Sequence, residues 1–242
     1  NKDVEATKRT EKISDNAQWF EDHSPVDPRF RKKKVKGVSA KAICAAMLGG
    51  DEYPSTAIGI NLPNADWIRA QHGSKSITIS NLTDAYSKVA KGNGMLEEFV
   101  IDADTVAMIR KYGDICDELH TDLHECLGHG SGQLLPGTSP DALKAYGNTI
   151  EEARADLFGL YYIADRKLVE LGLLNDAEAY KSNYYTYVMN GLLTQLVRIK
   201  PGHCIEEAHM RNRALIARWC LANGDAVRLV KRDGKTFVAV DD

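Results

Sequence analysis

The chain reads His124-Glu125-Cys126-Leu127-Gly128-His129 at the end of a long helical pattern. In zinc peptidases, two histidines on one helix hold the metal and the glutamate between them handles a proton of water. Here the histidines are five positions apart. On an ideal helix this spacing separates them by about 140°, whereas a spacing of four gives about 40°. The two imidazoles can share a metal only if the turn loosens, most simply by a one-residue π-type bulge. Gly128 tolerates such a distortion at the least steric cost.

A purely structural role for these histidines stays open at this point. His124 can be a helix-surface residue, and His129 can be a polar group favoured by the dipole at the helix C-terminus. His120 lies four residues before His124, but no glutamate lies between the two. Cys126 is adjacent to Glu125 on the helix and therefore points elsewhere, which favours a small core residue.

A second motif, Glu151-Glu152-Ala153-Arg154-Ala155-Asp156, opens the next helical pattern. A catalytic zinc takes three protein ligands, and Glu152 is a candidate for the third. Glu152 and Asp156 are four residues apart and so share one helix face, where Asp156 can accept the outer N–H of a metal-binding histidine. Taken alone, the two glutamates are better explained as a solvated acidic helix start. Taken with the histidine motif, the zinc interpretation is favoured.

The hydrophobic spacing along the rest of the chain predicts a mainly α fold with a small C-terminal β-hairpin. An amphipathic helix is expected over residues 1–22, and Ser24–Pro28 breaks it. The other predicted elements are a short helix Ser39–Leu48, a loop Pro54–Pro63, a helical turn at residues 64–69, a helix from Asp102 to the histidine motif, helices over Thr149–Leu171, Asp176–Arg198 and Glu206–Asn223, and a hairpin of Val227–Val230 with Thr236–Val240.

Composition excludes several functional classes. The 242 residues are enough for one large domain or two small ones. Their formal net charge of −3 gives no basic field that would attract nucleic acid. The basic run from Arg29 to Lys36 is expected to be a solvated face. No apolar stretch approaches the ~18 residues of a membrane span. Five scattered cysteines indicate reduced thiols in an intracellular, cytoplasmic setting. Because the chain begins with Asn1 and not Met, it is expected to be a fragment or a processed product, which is compatible with removal of a targeting segment.

The two motifs together resemble those of the dipeptidyl peptidase III family of zinc exopeptidases, whose distinguishing mark is the five-residue histidine spacing. Gly59–Asn64 and Glu207–Met210 are similar to further family stretches, as is Gly130-Ser131-Gly132. The resemblance runs from about residue 57 to 224. It implies two lobes around a wide cleft, one mostly helical and zinc-binding, the other containing a β-barrel. Residues 1–242 would then be a single helical zinc lobe, with a lead-in at 1–56, the family-matching core at 57–224 and the hairpin at 225–242.

The same resemblance implies a role for each matched residue. Glu125 is the general base that takes a proton from zinc-bound water, and His209 stabilises the transition state. In this sequence Asp156 stands where many relatives have a glutamate, and Ala153 where a cysteine is frequent. The remaining implied roles are zinc ligation by His124, His129 and Glu152, orientation of the histidines by Glu151 and Asp156, and substrate binding by Asn61, Asn64 and Arg213.

The resemblance implies a zinc-dependent dipeptidyl peptidase that carries one Zn²⁺ per chain and releases dipeptides from the N-terminus of short peptides. Its expected partners are peptide substrates and the second lobe of the same polypeptide, with no nucleic acid and no membrane. The short connection from His129 to Glu152 suggests a bacterial type. Two alternatives stay open: a zinc endopeptidase, and a metal-binding domain without turnover of its own.

Overall fold

The computed structural model describes residues 1–36, 38–46, 58–63, 68 and 71–241. The chain divides into two compact units. Unit 1 comprises Asn1–Lys88, Glu118–Lys144 and Arg154–Tyr162, and unit 2 comprises Val89–Asp117, Ala145–Ala153 and Ile163–Asp242. The lobe and segment boundaries expected from the sequence stay a prediction. No helix of the described ranges is both long enough and apolar enough to cross a membrane.

Unit 1 begins with two helices and a three-stranded sheet. Helices α1 (Val4–Asp15) and α2 (Ala17–Asp22) confirm the predicted N-terminal helix, with a break at Asn16. Strand β3 (Lys75–Ile79) lies in the middle of the sheet, parallel to β1 (Ser39–Ile43) and antiparallel to β2 (Gly59–Leu62).

The short helix predicted for Ser39–Leu48 is wrong, because residues 39–43 form β1. Ala40 and Ala42 alternate into the core at 4% and 0% exposure, and the ladder with β3 satisfies the backbone. This tertiary pairing outweighs the helix propensity of alanine and lysine. Residues 47–50 lie outside the described residues.

The loop predicted over Pro54–Pro63 is also wrong in its second half, where β2 pairs with β3. Residues 54–57 lie outside the described ranges, as does the predicted helical turn at 64–69 except for Ile68. Strand β3 and helix α3 (Ser80–Ala90) have no counterpart among the sequence predictions.

Helix α5 carries the histidine motif at its end. It spans Ala103–Leu123, after a short α4 (Met95–Phe99), and continues as a π-helical segment over His124–Gly128. The amide of His129 donates to the carbonyl of His124 at 3.0 Å, which is the five-residue closure of a π turn. The predicted π-type bulge is therefore confirmed.

Helix α6 (Gly147–Ile163) carries the second motif and ends earlier than predicted. The carboxylate of Asp165 accepts from the amide of Lys167 at 2.8 Å, and the one-turn helix α7 (Lys167–Glu170) begins there. The single helix predicted over Thr149–Leu171 is therefore two. The helix predicted over Asp176–Arg198 is likewise shorter, with α8 at Tyr180–Leu192 and a 3₁₀ turn at Thr194–Arg198.

Unit 2 is built around α8, α9 (Ala208–Asn223) and the C-terminal hairpin. Gly191 allows α8 and α9 to pack closely, because a Cβ there would lie 2.3 Å from the carbonyl oxygen of Arg213. The predicted hairpin is confirmed as β4 (Val227–Arg232) and β5 (Lys235–Val240), which are antiparallel. Its strands cover a core that includes Val188, Ala217, Val227 and Val238.

Candidate metal centre

The imidazole of His124 is oriented by a buried carboxylate on α6. Its Nδ1 lies 2.6 Å from Oδ1 of Asp156, and Nε2 of His120 lies 3.1 Å from the same oxygen. Burial raises the pKa of Asp156, but the hydrogen bonds from both histidines outweigh burial and hold that pKa well below its usual range. An ionised Asp156 keeps the proton of His124 on Nδ1, so the lone pair of Nε2 is the one available to a metal.

The π segment brings three candidate groups together in unit 1. One potential ligand atom each of His124, Glu125 and His129 lies within 4.8 Å of the others. The two imidazole rings meet edge to face with centroids 4.7 Å apart. A regular α-helix would point the two histidines about 140° apart. The π closure is therefore the local feature that lets both imidazoles face one ion.

Gly128 is required here for a reason beyond backbone freedom. A Cβ at this position would lie 2.6 Å from Cα and 2.8 Å from the carbonyl oxygen of Ala155. The π segment thus packs directly on the backbone of α6, within the second motif. The missing side chain of Gly128 allows this close approach. In the same way, the ring of His120 packs over Gly159, where a Cβ would lie 3.1 Å from the imidazole.

The sheet of unit 1 supports the π segment from another direction. Nδ2 of Asn61 and Oγ of Ser76 both donate to the carbonyl of Glu125, at 2.9 and 3.1 Å. Oδ1 of Asn61 is buried and has no hydrogen-bond partner among the described residues. A Cβ on Gly59 would lie 2.7 Å from Oε1 of Glu125, so β2 also approaches the carboxylate closely. Asn64, the other predicted substrate-binding asparagine, lies outside the described residues.

In unit 2, Oε2 of Glu152 lies 3.1 Å from Nε2 of His209. Nδ1 of the same imidazole lies 2.6 Å from Oε1 of Glu207, which also caps α9. The hydrogen bond with Glu152 and the contact with Glu207 raise the pKa of His209 to about 9, although burial by itself would lower it. Glu151 on α6 and Arg213 on α9 are both half-buried.

The structure thus groups the predicted residues within each unit separately. Unit 1 collects His124, Glu125, His129, Asp156 and Asn61, and unit 2 pairs Glu152 with His209. Helix α6 carries Glu152 and Asp156 one turn apart, as the four-residue spacing predicts. The roles assigned to these residues stay predictions.

His120 is the participant that sequence reasoning passed over. It is buried at 9% exposure and shares the Asp156 oxygen with His124. His120 lies four residues before His124, at the junction of α5 and the π segment, so both side chains point to the same side, and this spacing was the available signal. Glu21, which contacts the loop after His129, gave no such signal because it lies in a different helix more than 100 residues away.

Comparison with known proteins identifies the family. The model of peptidase family M49 matches residues 1–146. Dipeptidyl peptidase 3 of Nematostella vectensis is 27% identical over 75% of this chain and 29% of its own length. Dipeptidyl peptidase 3 of Dictyostelium discoideum is 24% identical over 95% of this chain and 38% of its own.

A solved structure of dipeptidyl-peptidase III from Corallococcus sp. strain EGB superposes on 99% of this chain with a TM-score of 0.77 and 26% identity. The chain spans 42% of that structure and less than two fifths of the two curated relatives. The resemblance found in the motifs is confirmed, and because the family model matches more than half of the residues, this chain belongs to peptidase family M49.

Proposed function

We propose that this chain binds one zinc ion through His124, His129 and Glu152 as part of a dipeptidyl peptidase that releases dipeptides from the N-terminus of short peptides. The observation that carries the proposal is the π segment, which places ligand atoms of His124, Glu125 and His129 within 4.8 Å of one another. Membership of peptidase family M49 and the dipeptidyl peptidase relatives support the reaction class.

The donor set fits zinc. Two imidazole nitrogens with one carboxylate oxygen form a common ligand set of catalytic zinc sites, which keep a further position for water. His124 has the outer hydrogen bond to a carboxylate that metal-binding histidines almost always make. The third ligand is inferred from helix geometry, since Glu152 lies one turn before Asp156 on α6.

The reaction chemistry is divided between the metal and the chain. When bound, zinc polarises a carbonyl and lowers the pKa of water. Glu125 is buried beside both histidines, where it can accept a proton from the attacking water and deliver it to the leaving amine. His209, whose Nδ1 is held by Glu207, would donate to the developing oxyanion through Nε2 once Glu152, which lies 3.1 Å from this nitrogen, binds the metal instead.

Two further residues would bind the peptide. Nδ2 of Asn61 anchors the side chain to the π segment, and the binding of a peptide backbone by Asn61 is carried over from the resemblance. The guanidinium of Arg213 would pair with a peptide carboxylate. Asn64 and the orienting role of Glu151 are carried over from the resemblance alone.

The complete reaction is proposed for a longer polypeptide. The relatives are more than twice the length of the stretch that this chain matches, so we place part of the substrate cleft in a second lobe. The five cysteines are free thiols, which supports a cytoplasmic protein, and the short connection between the motifs supports a bacterial one.

The test separates ligand from base. His124→Ala is expected to lose zinc, whereas Glu125→Gln is expected to keep zinc and lose peptide hydrolysis. Glu206→Gln, at an exposed glutamate, is the matched control and should retain both properties. Loss of zinc in Glu125→Gln would overturn the assignment of the base.

The substrates distinguish the alternatives. A peptide with a free N-terminus should be cleaved and its N-terminally blocked form should not. Cleavage of both forms would favour a zinc endopeptidase. Bound zinc without cleavage of either form would favour a metal-binding domain without turnover of its own.

A further inference from the structure

Arg154 of the second motif contacts the loop that follows the π segment. We define this exit loop as residues 129–133. Nη1 of Arg154 donates to Oγ of Ser131 at 2.8 Å and to its carbonyl oxygen at 3.3 Å. The hydroxyl of Ser131 donates in turn to the carbonyl of Gly128 at 2.9 Å. A cationic side chain on α6 is therefore connected through the hydroxyl of Ser131 to Gly128, the last residue of the π segment.

The side chain of Glu21 holds the exit loop by binding a backbone amide of that loop. This carboxylate, at the end of α2, is 2% exposed, and both of its oxygens accept from the amide of Gly132, at 3.0 and 3.2 Å. Oε1 also accepts from the amide of Lys32 at 2.5 Å. The ammonium of Lys32 then donates to the carbonyl of Gly130 at 2.6 Å.

The exit loop needs such support because of its sequence. Gly130 and Gly132 alternate with Ser131, and Gly132 adopts a φ of +71°. Glycines leave a loop with many accessible conformations, and His129 is the residue at which this loop joins the π segment. Hydrogen bonds to charged partners are stronger than neutral ones, so the three side chains restrict the loop directly beside the candidate ligand.

We propose that Arg154, Glu21 and Lys32 are positioning residues that clamp the exit loop and so fix the direction of the His129 imidazole. The inference rests on the proposed function, in which His129 binds zinc. The proposal gives a role to Arg154, the one charged residue of the second motif that is not proposed to bind zinc or to orient a histidine. It also explains why a carboxylate is buried at position 21.

The direct test compares Arg154→Gln with Arg154→Lys and with Arg198→Gln, an exposed arginine that serves as the control. Zinc affinity is measured by competition with a chromophoric chelator, and the site geometry by the visible absorption bands of bound Co²⁺. We expect Arg154→Gln to weaken zinc binding about 10–100-fold, as outer partners of ligands do, and to change the Co²⁺ bands. Arg154→Lys should restore part of both, because it keeps one charged donor.

Hydrogen exchange at the amides of residues 129–133 tests the clamp without any metal. Exchange there should accelerate in Arg154→Gln and in the milder Ser131→Ala, and the two changes should be non-additive because they remove the same contact. Unchanged exchange and unchanged zinc affinity would overturn the clamp while leaving the zinc site in place. Accelerated exchange in a chain that binds neither Zn²⁺ nor Co²⁺ would overturn the proposed function and, with it, the positioning role.

Discussion

Replacement of Gly128 by alanine probes the packing that keeps the π segment in place. The new Cβ would lie 2.6 Å from Cα, 2.7 Å from Cβ and 2.8 Å from the carbonyl oxygen of Ala155. All three distances are below normal contact, and two of the atoms are backbone, so α6 or the π segment must shift. Overpacking of this kind costs about 1–3 kcal/mol. For a chain of this size the melting temperature should then fall by about 2–12 °C.

The control is Gly113→Ala in the middle of α5. A Cβ there would meet only Cγ2 of Ile109, at 3.8 Å, which is an ordinary contact. Because alanine favours a helix over glycine by up to about 1 kcal/mol, this variant should be as stable as the wild type or more so. Thermal unfolding of both variants under one set of conditions measures the difference. A Gly128→Ala chain as stable as Gly113→Ala would refute the close packing of the π segment on α6.

Three further predictions concern charged side chains that accept hydrogen bonds. Asp156→Asn should lower zinc affinity about 10–100-fold in a chelator competition, and a change below twofold would contradict the orienting role. Arg9→Met should lower the free energy of unfolding in urea by about 3–5 kcal/mol, because it leaves the fully buried Asp122 without the guanidinium that contacts it at 2.9 Å. Adding Asp122→Asn should recover part of this loss. If the double variant is no more stable than Arg9→Met, the unpaired charge of Asp122 is not the cause. Hydrogen bonds from Ser80 and the Ala6 amide lower the pKa of Asp3, so its contribution to stability is present above about pH 4 and is lost as the pH falls through the folded-state pKa. In Asp3→Asn the free energy of unfolding should therefore fall less steeply with decreasing pH than in the control Asp15→Asn, which changes an exposed aspartate.

Local rules predicted the elements whose determinants are close in sequence. The five-residue histidine spacing with Gly128 required a distorted turn, and the π segment is that turn. Asp233-Gly234 predicted the hairpin, and both residues adopt positive φ values of 53° and 78°. In these cases steric limits on a few neighbouring residues decide the structure, so no tertiary information is needed.

The three-stranded sheet was missed because its determinants are distant in sequence. Ala40 and Ala42 read as helix formers, yet β1 is fixed by pairing with β3, more than 30 residues later. The sheet then supplies Asn61 and Ser76 to the carbonyl of Glu125. Strand pairing of this kind depends on partners that a local window does not contain, and for this reason sequence patterns found the metal motif but not the strands that support it.

The same distinction applies to the candidate site. The spacing of Glu152 and Asp156 predicted a shared helix face, and His124 does contact Asp156. The exit-loop contact of Glu21 joins residues 111 positions apart, so neither hydrophobic period nor motif spacing carries information about it. The structure was required to show that this acidic residue of α2 belongs beside the second half of the histidine motif.

The most direct test of the account is the zinc content of the purified chain, measured by elemental analysis for the wild type and for His129→Ala. His203→Ala, at an exposed histidine of unit 2, is the control. We expect one zinc per chain in the wild type and in the control, and a loss of most of it in His129→Ala. Equal zinc in all three proteins, or no zinc in the wild type after reloading, would contradict the proposal that the π segment builds a metal site.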